Sequence, residues 1–311
     1  MKRFLKFAIL PVMTTLLLAS CGDNGDNSQK PTYDGNYYDT MNTEVTGLRL
    51  QKELHRHMLR THTFYPNYAS MNNYFKGTAT YTAEDGTTKT IPMSTDATKE
   101  QWQKGKYEAF YTAATVSKTT TLTREHVWPC ANSEELWSRE KVDATQEAQQ
   151  NYVGGGSDLY HIRPVSYDVN VAHQNYRYHT FTSGEAVSKT VADANGKWKL
   201  KITTGKVEVG DGMKGDVARI GLYLYIHYNN FGITDVLPLN ENVELGTLRF
   251  QKFMYIKANE TEEDALRYLL EWHYADPVSE IEIQRNNTVE KIQGNRNPFV
   301  DHPEWVAECF E

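Results

Sequence analysis

The stretch from Val116 to Trp128 reads Val-Ser-Lys-Thr-Thr-Thr-Leu-Thr-Arg-Glu-His-Val-Trp and is stopped by Pro129. β-Branched residues favour extended backbone and proline cannot donate to a sheet ladder, so this run predicts a strand ending at or just after His126. A connection of about thirty residues follows and closes on Gly154-Gly155-Gly156, a run expected to be mobile. Asp158 to Val165 reads as extended again, and Ser166 suits the cap of a helix carrying Asn170 and Asn175. The chain thus predicts strand, long loop, strand and helix. Neighbouring side chains on a regular strand face opposite ways, so Glu125 and His126 can share a pocket only where the strand ends or bulges. The break at Pro129 provides such an ending.

Around this unit the pattern is mainly helical. Leu50, Leu54 and Met58 recur at four-residue steps behind Thr46, which predicts an amphipathic helix capped by Thr46. Lys76 to Thr95 reads as a hairpin or excursion, and Trp198 to Val209 as strand entered from a turn at Asn195-Gly196. Val217, Ile220, Leu224 and Tyr228 mark a second helix. A third starts at Thr261-Glu-Glu-Asp264, runs through Leu269 and Leu270, and halts before Pro277. No repeat is visible, so residues 41–311 are expected to form a single α+β domain.

The first twenty residues are set apart from that domain. Lys2, Arg3 and Lys6 precede an apolar run from Phe7 to Leu18, shorter than the ~20 residues a spanning helix needs, which is the pattern of a targeting segment. It ends Leu17-Leu18-Ala19-Ser20-Cys21 and resembles a bacterial lipobox, in which the cysteine is acylated; an ordinary secretory signal is the alternative. Lipidation at Cys21 implies a membrane anchor in the bacterial cell envelope, facing the periplasm or the outside. Residues 21–40 lack the apolar content of a core and read as a flexible tether. The other cysteines, Cys130 and Cys309, show no zinc spacing. In an oxidising compartment they are expected either to pair as a disulfide or to remain two buried thiols.

The residues of the central unit point to one chemistry. Hydrolysis of a phosphodiester needs an activated water and a cation to neutralise charge on the phosphoryl oxygens, which a His, a carboxylate and an amide can provide. Arg124-Glu125-His126-Val127-Trp128-Pro129, Asp158-Leu-Tyr-His-Ile-Arg-Pro164 and Asp168-Val-Asn170 resemble, in order, the motifs of the bacterial endonuclease I family of periplasmic and secreted nonspecific nucleases. Lys214-Gly-Asp-Val-Ala-Arg219 and Gln293-Gly-Asn-Arg-Asn-Pro-Phe-Val300 also match family blocks. The resemblance implies a ββα-metal (His-Me finger) core, with His126 as general base and Glu125 and Asn170 holding Mg²⁺, or Mn²⁺ or Ca²⁺ in its place. Arg163 is the expected phosphate contact, chosen over Arg139 and Arg177. Arg124, Asp158, Asn175, Asn295 and Arg296 are expected to support the site, with Asn295 and Arg296 either lining it or packing the C-terminal block.

The implied substrate is DNA, and RNA as well, cut with little sequence preference to 5′-phosphate ends; no protein partner is inferred. Two positions depart from the family: Tyr160 stands where it has His, and His173 where it has Arg. His161 reads as an interior histidine. Charge runs against a nucleic-acid substrate, because removing the signal takes three bases and no acids and moves the formal charge from −7 to −10. Distant acidic surface is screened within about 8 Å, however, so a locally basic cleft can override it. A scaffold that binds nucleic acid or glycan without catalysis is the alternative function.

Overall fold

The computed structural model describes residue 33 and residues 35–82, 86–133, 152–192, 199–240 and 242–311. The tether up to residue 32, Cys21 included, the Asn195-Gly196 turn and Arg139 lie outside the described residues. In chain order the elements are α1 (Leu48–Thr61), α2 (Met71–Phe75), β1 (Thr80–Thr82), β2 (Thr88–Thr90), α3 (Lys99–Gln103), β3 (Lys106–Ala109), β4 (Ala114–Ser117), β5 (Thr123–His126), β6 (Ile162–Val165) and α4 (Tyr167–His173). There follow β7 (Arg177–Tyr178), β8 (Lys189–Ala192), β9 (Lys199–Thr203), β10 (Lys206–Glu208), α5 (Lys214–Tyr228), α6 (Glu262–Ala275), α7 (Glu280–Gln293), α8 (Pro298–Asp301) and α9 (Trp305–Phe310). The architecture is α+β, with small sheets set among helices.

Leu50, Leu54 and Met58 form the buried stripe of α1 as their spacing requires, but Gly47 rather than Thr46 occupies the N-cap. Helix α5 is buried on nearly every side and is the central element, packed by α1 and α6. A Cβ on Gly221 would lie 2.6 Å from the Phe253 ring, so only glycine lets that ring sit against the helix. At its start, Arg219 of the matched block forks onto both oxygens of Glu282 in α7, at 2.6 and 2.7 Å. Asp264 accepts the backbone N–H of Thr261 at 2.9 Å and so starts α6 where the sequence places it.

Helix α7 has no counterpart in the sequence reading, for a physical reason. Its buried face is largely polar: Glu282, Arg285, Asn286, Thr288 and Gln293 accompany only Val289 and Ile292. It docks through hydrogen bonds instead of an apolar stripe. Arg285 donates to the carbonyls of Thr95, Leu159 and Ile162, and Gln293 Oε1 accepts from Leu159 N at 2.7 Å. These bonds hold the segment that leads into β6.

The N-terminal edge of the expected domain shifts. Tyr37 and Tyr38, expected within the tether, pack on the domain instead: Tyr38 OH donates to Asp301 at 2.6 Å and its ring meets Trp305 edge-on. Cys130 and Cys309 are both buried and both free, so the disulfide is not formed. Burial pushes the Cys309 thiol up to about 12. Among the described residues no helix is long and apolar enough to cross a membrane.

Candidate active site

Strands β5 and β6 pair antiparallel, with Glu125 opposite Arg163 and His126 opposite Ile162, and α4 follows directly behind Ser166 as N-cap. The strand ends at His126, as its sequence predicts. That ending lets Glu125 and His126 line one cleft of about 570 Å³ together with Arg124, Asn170 and Asn175. Asn175 lies beyond α4, which closes at His173; it lines the cleft from the following turn and its carbonyl accepts from Asn132 Nδ2.

His126 is held from two sides. Its Nε2 lies 3.0 Å from the carbonyl oxygen of Gly156. A carbonyl only accepts, so Nε2 carries the proton and Nδ1 keeps the lone pair. Tyr68 stacks on the imidazole at 5.3 Å and 21°, and the Arg124 guanidinium lies 3.9 Å over the same tyrosine ring. Burial, with the Arg124 charge adding to it, pushes the His126 pKa down to about 4, so the ring is neutral at ordinary pH.

Gly156 is fixed in turn by its neighbours. His161 is fully buried; its Nδ1 donates to Gly155 O at 2.7 Å and its Nε2 accepts from Trp128 N at 2.9 Å. One interior histidine therefore ties the end of β5 to the glycine turn. Gly155 and Gly156 are buried in that turn, which corrects the expectation of a mobile run.

Glu125 is 2% exposed and accepts two hydrogen bonds on Oε1, from His173 Nδ1 at 2.5 Å and Tyr111 OH at 3.0 Å. Burial and the nearby carboxylate keep the Tyr111 phenol well above its usual pKa, so it stays a donor. Its hydroxyl lies 2.5 Å from that of Tyr178. Tyr111 also has φ of +66°, a backbone state costing about 1–3 kcal/mol for a residue with a side chain, at the point where it meets Glu125. Asn170 Nδ2 lies 3.4 Å from Arg124 O, which turns Oδ1 away from the strand. Oε2 of Glu125 and Oδ1 of Asn170 thus remain as oxygen donors, and a carboxylate beside an amide oxygen suits Mg²⁺.

Four expected site residues, Arg163, Asn295, Arg296 and Asp158, are placed elsewhere. Arg163 does not line the cleft: it is 4% exposed, donates to Asp96 Oδ1 at 2.8 Å and lies 4.0 Å over Phe110, so its charge is spent inside the fold. Asn295 bonds Tyr223 OH at 2.7 Å, and Arg296 forks onto Asp301 at 2.7 and 2.6 Å; both pack the C-terminal block. Arg177 bonds the Gln251 carbonyl. Tyr160 is a buried phenol bonded to Asn286 Oδ1 at 2.7 Å.

Asp158 also lies inside, where it, His62 and His227 bring potential ligand atoms within 4.8 Å. Its carboxylate accepts from Tyr160 N, Gln293 Nε2, Tyr223 OH and Tyr228 OH, which fills its four acceptor positions. His62 Nδ1 and His227 Nε2 bond each other at 2.8 Å. That group is a hydrogen-bonded interior hub.

The sequence marks His173 only as a departure from the family pattern, with no role, and gives no sign of Tyr111 or Tyr68. His173 had a signal: it stands three residues after Asn170, the spacing that places two side chains on one side of a helix. Tyr111 and Tyr68 reach the site only through the fold.

The sequence profile of the Endonuclease I family matches residues 46–304. An extracellular ribonuclease of Bacillus subtilis (strain 168) is 32% identical over 176 residues, covering 56% of this chain and 54% of the relative. An extracellular ribonuclease of Bacillus amyloliquefaciens is 31% identical over the same length and the same shares. The chain thus spans about half the length of the curated relatives it matches. The family match runs through every block that builds the cleft, and on that extent the chain belongs to the Endonuclease I family.

Proposed function

We propose that this chain is a metal-dependent nuclease that hydrolyses phosphodiester bonds in DNA and RNA with little sequence preference, and that β5, β6 and α4 act as its His-Me finger. The observation that carries the reading is the meeting of Glu125, His126 and Asn170 on one cleft, with His126 Nδ1 left as the lone-pair nitrogen. His126 takes the proton of the attacking water as the water oxygen bonds to phosphorus and the 3′ oxygen departs, which leaves a 5′-phosphate. A neutral imidazole is the form that does this, and its low pKa keeps it neutral. Glu125 and Asn170 would hold Mg²⁺, or Mn²⁺ or Ca²⁺ in its place, which neutralises charge on the phosphoryl oxygens.

Arg124 takes the phosphate-contact role expected of Arg163. It is the arginine that lines the cleft among the described residues. Stacking on Tyr68 and a 2.8 Å bond from Nη1 to the Tyr68 carbonyl fix its plane, and a guanidinium has five donors in all. Export is supported by the N-terminal segment and by relatives named as extracellular, and lipidation at Cys21 by the lipobox-like Leu17-Leu18-Ala19-Ser20-Cys21 alone.

The test is incubation of the mature chain with plasmid and with RNA. Cleavage should require a divalent cation, stop with EDTA, and fall by roughly 10²–10⁴-fold in His126→Ala. Absence of cleavage, or cleavage indifferent to EDTA and to His126→Ala, sinks the reading.

A further inference from the structure

Of the 20 tyrosines in the chain, those with more than half their surface exposed, among the described residues, are Tyr274 at 52% and Tyr167 at 70%. Tyr274 is tied by its hydroxyl to Glu311 at 3.0 Å. Among the described residues Tyr167 has no such partner, and it stands on the rim of the active-site cleft, at the first residue of α4. Val171, one helical turn on, is 52% exposed and lines the same cleft. Residues four apart share a helix face, so the two make one apolar strip along the cleft edge.

The position is chemically specific. Asn170 lies three residues from Tyr167, a separation of about 5–6 Å between Cβ atoms, within reach of a nucleoside attached to the phosphate at the reacting centre. The cleft, at about 570 Å³, falls in the ~300–1,000 Å³ range of sites that enclose a small molecule and has more room than a cation and one phosphate need. A phenol ring presents a flat apolar face, which every base can stack on, but only a base already out of a duplex offers its own face.

We propose that Tyr167, flanked by Val171, forms a stacking subsite for an unpaired nucleobase next to the scissile phosphate, making single-stranded nucleic acid the preferred substrate. The inference rests on the nuclease reading above. Stacking holds the nucleotide in place before and during reaction alike, so it acts on KM and leaves kcat nearly unchanged.

The experiment uses oligonucleotides with one hydrolysable linkage, single-stranded or in a duplex, with normal bases or with an abasic residue on either side of that linkage. Tyr167→Ala should raise KM for the single strand by roughly fivefold or more, the lower end of what base stacking provides. Tyr167→Phe, which keeps the ring, should restore it. Duplex KM should not move. Removing the base on one side should weaken wild-type cleavage by a similar factor and have no further effect in Tyr167→Ala. An equal change on duplex and single strand, or independent effects of base removal and Tyr167→Ala, overturns the subsite. If the wild type cleaves no substrate the nuclease reading has failed; if it cleaves and Tyr167→Ala matches it, only the subsite has.

Discussion

Replacing His173 with alanine should reveal what holds Glu125 ready. The His173 Nδ1 lies 2.5 Å from Glu125 Oε1, inside a site where both side chains are buried, and Tyr111 at 3.0 Å is the carboxylate's other donor. A hydrogen bond to a charged group contributes about 1.5–3 kcal/mol, so His173→Ala withdraws that much support from the ionised, correctly turned carboxylate. Expressed in cation binding, loss of such a supporting partner weakens affinity by roughly 10–100-fold. Tyr111→Phe should cost less, its bond being longer and its neighbour Tyr178 still in place. The assay is calorimetric titration with Mn²⁺ beside plasmid nicking across a range of Mg²⁺. We expect the Mg²⁺ requirement to rise in the order wild type, Tyr111→Phe, His173→Ala, with kcat at saturating Mg²⁺ within about threefold of wild type. A folded His173→Ala protein with unchanged Mn²⁺ affinity would refute the sequence of steps from hydrogen bond to carboxylate to cation.

Two further outcomes follow from the same structure. Burial pushes His62 and His161 down to about 3, so the unfolded chain binds more protons than the folded one below pH 6.5 and stability is lost as pH falls through that window; at pH 5 each should cost about 2 kcal/mol. Urea unfolding at pH 7.5 and pH 5 should therefore show a drop of roughly 4 kcal/mol from this pair, and equal midpoints would defeat the account. Arg163→Met removes one of the two buried guanidinium groups that pair with Asp96, Arg285 being the other, and should destabilise by about 1.5–3 kcal/mol, while the folded fraction keeps its cleavage rate. A hundredfold loss of rate in folded Arg163→Met would return that arginine to the reacting centre.

Local signals carried much of the fold. A run ending before Pro129, an extended segment and Ser166 before a helix are encoded over a few residues each, and β5, β6 and α4 form where those signals lie, but the single strand expected from Val116 is split, with residues 118–122 turning between β4 and β5. Apolar stripes identified α1, α5 and α6 in the same way. Helix α7 escaped because its buried face is polar, and periodicity of apolar residues cannot register a surface that docks by hydrogen bonds.

The sequence by itself determined the family, the order of the motif residues and the strand ending that lets Glu125 and His126 share a cleft. Tertiary structure decided which charges remain available there. Arg163 is absorbed by Asp96, which lies far from it in the chain, while Arg124 is turned into the cleft by stacking on Tyr68. It also decided what holds the Glu125 carboxylate, Tyr111 from an earlier loop and His173 from α4, and which tyrosine of twenty stands exposed at the rim. Hydrogen bonds, stacking and burial act over a few ångströms between residues that can be a hundred positions apart, so these assignments belong to packing and not to any local pattern.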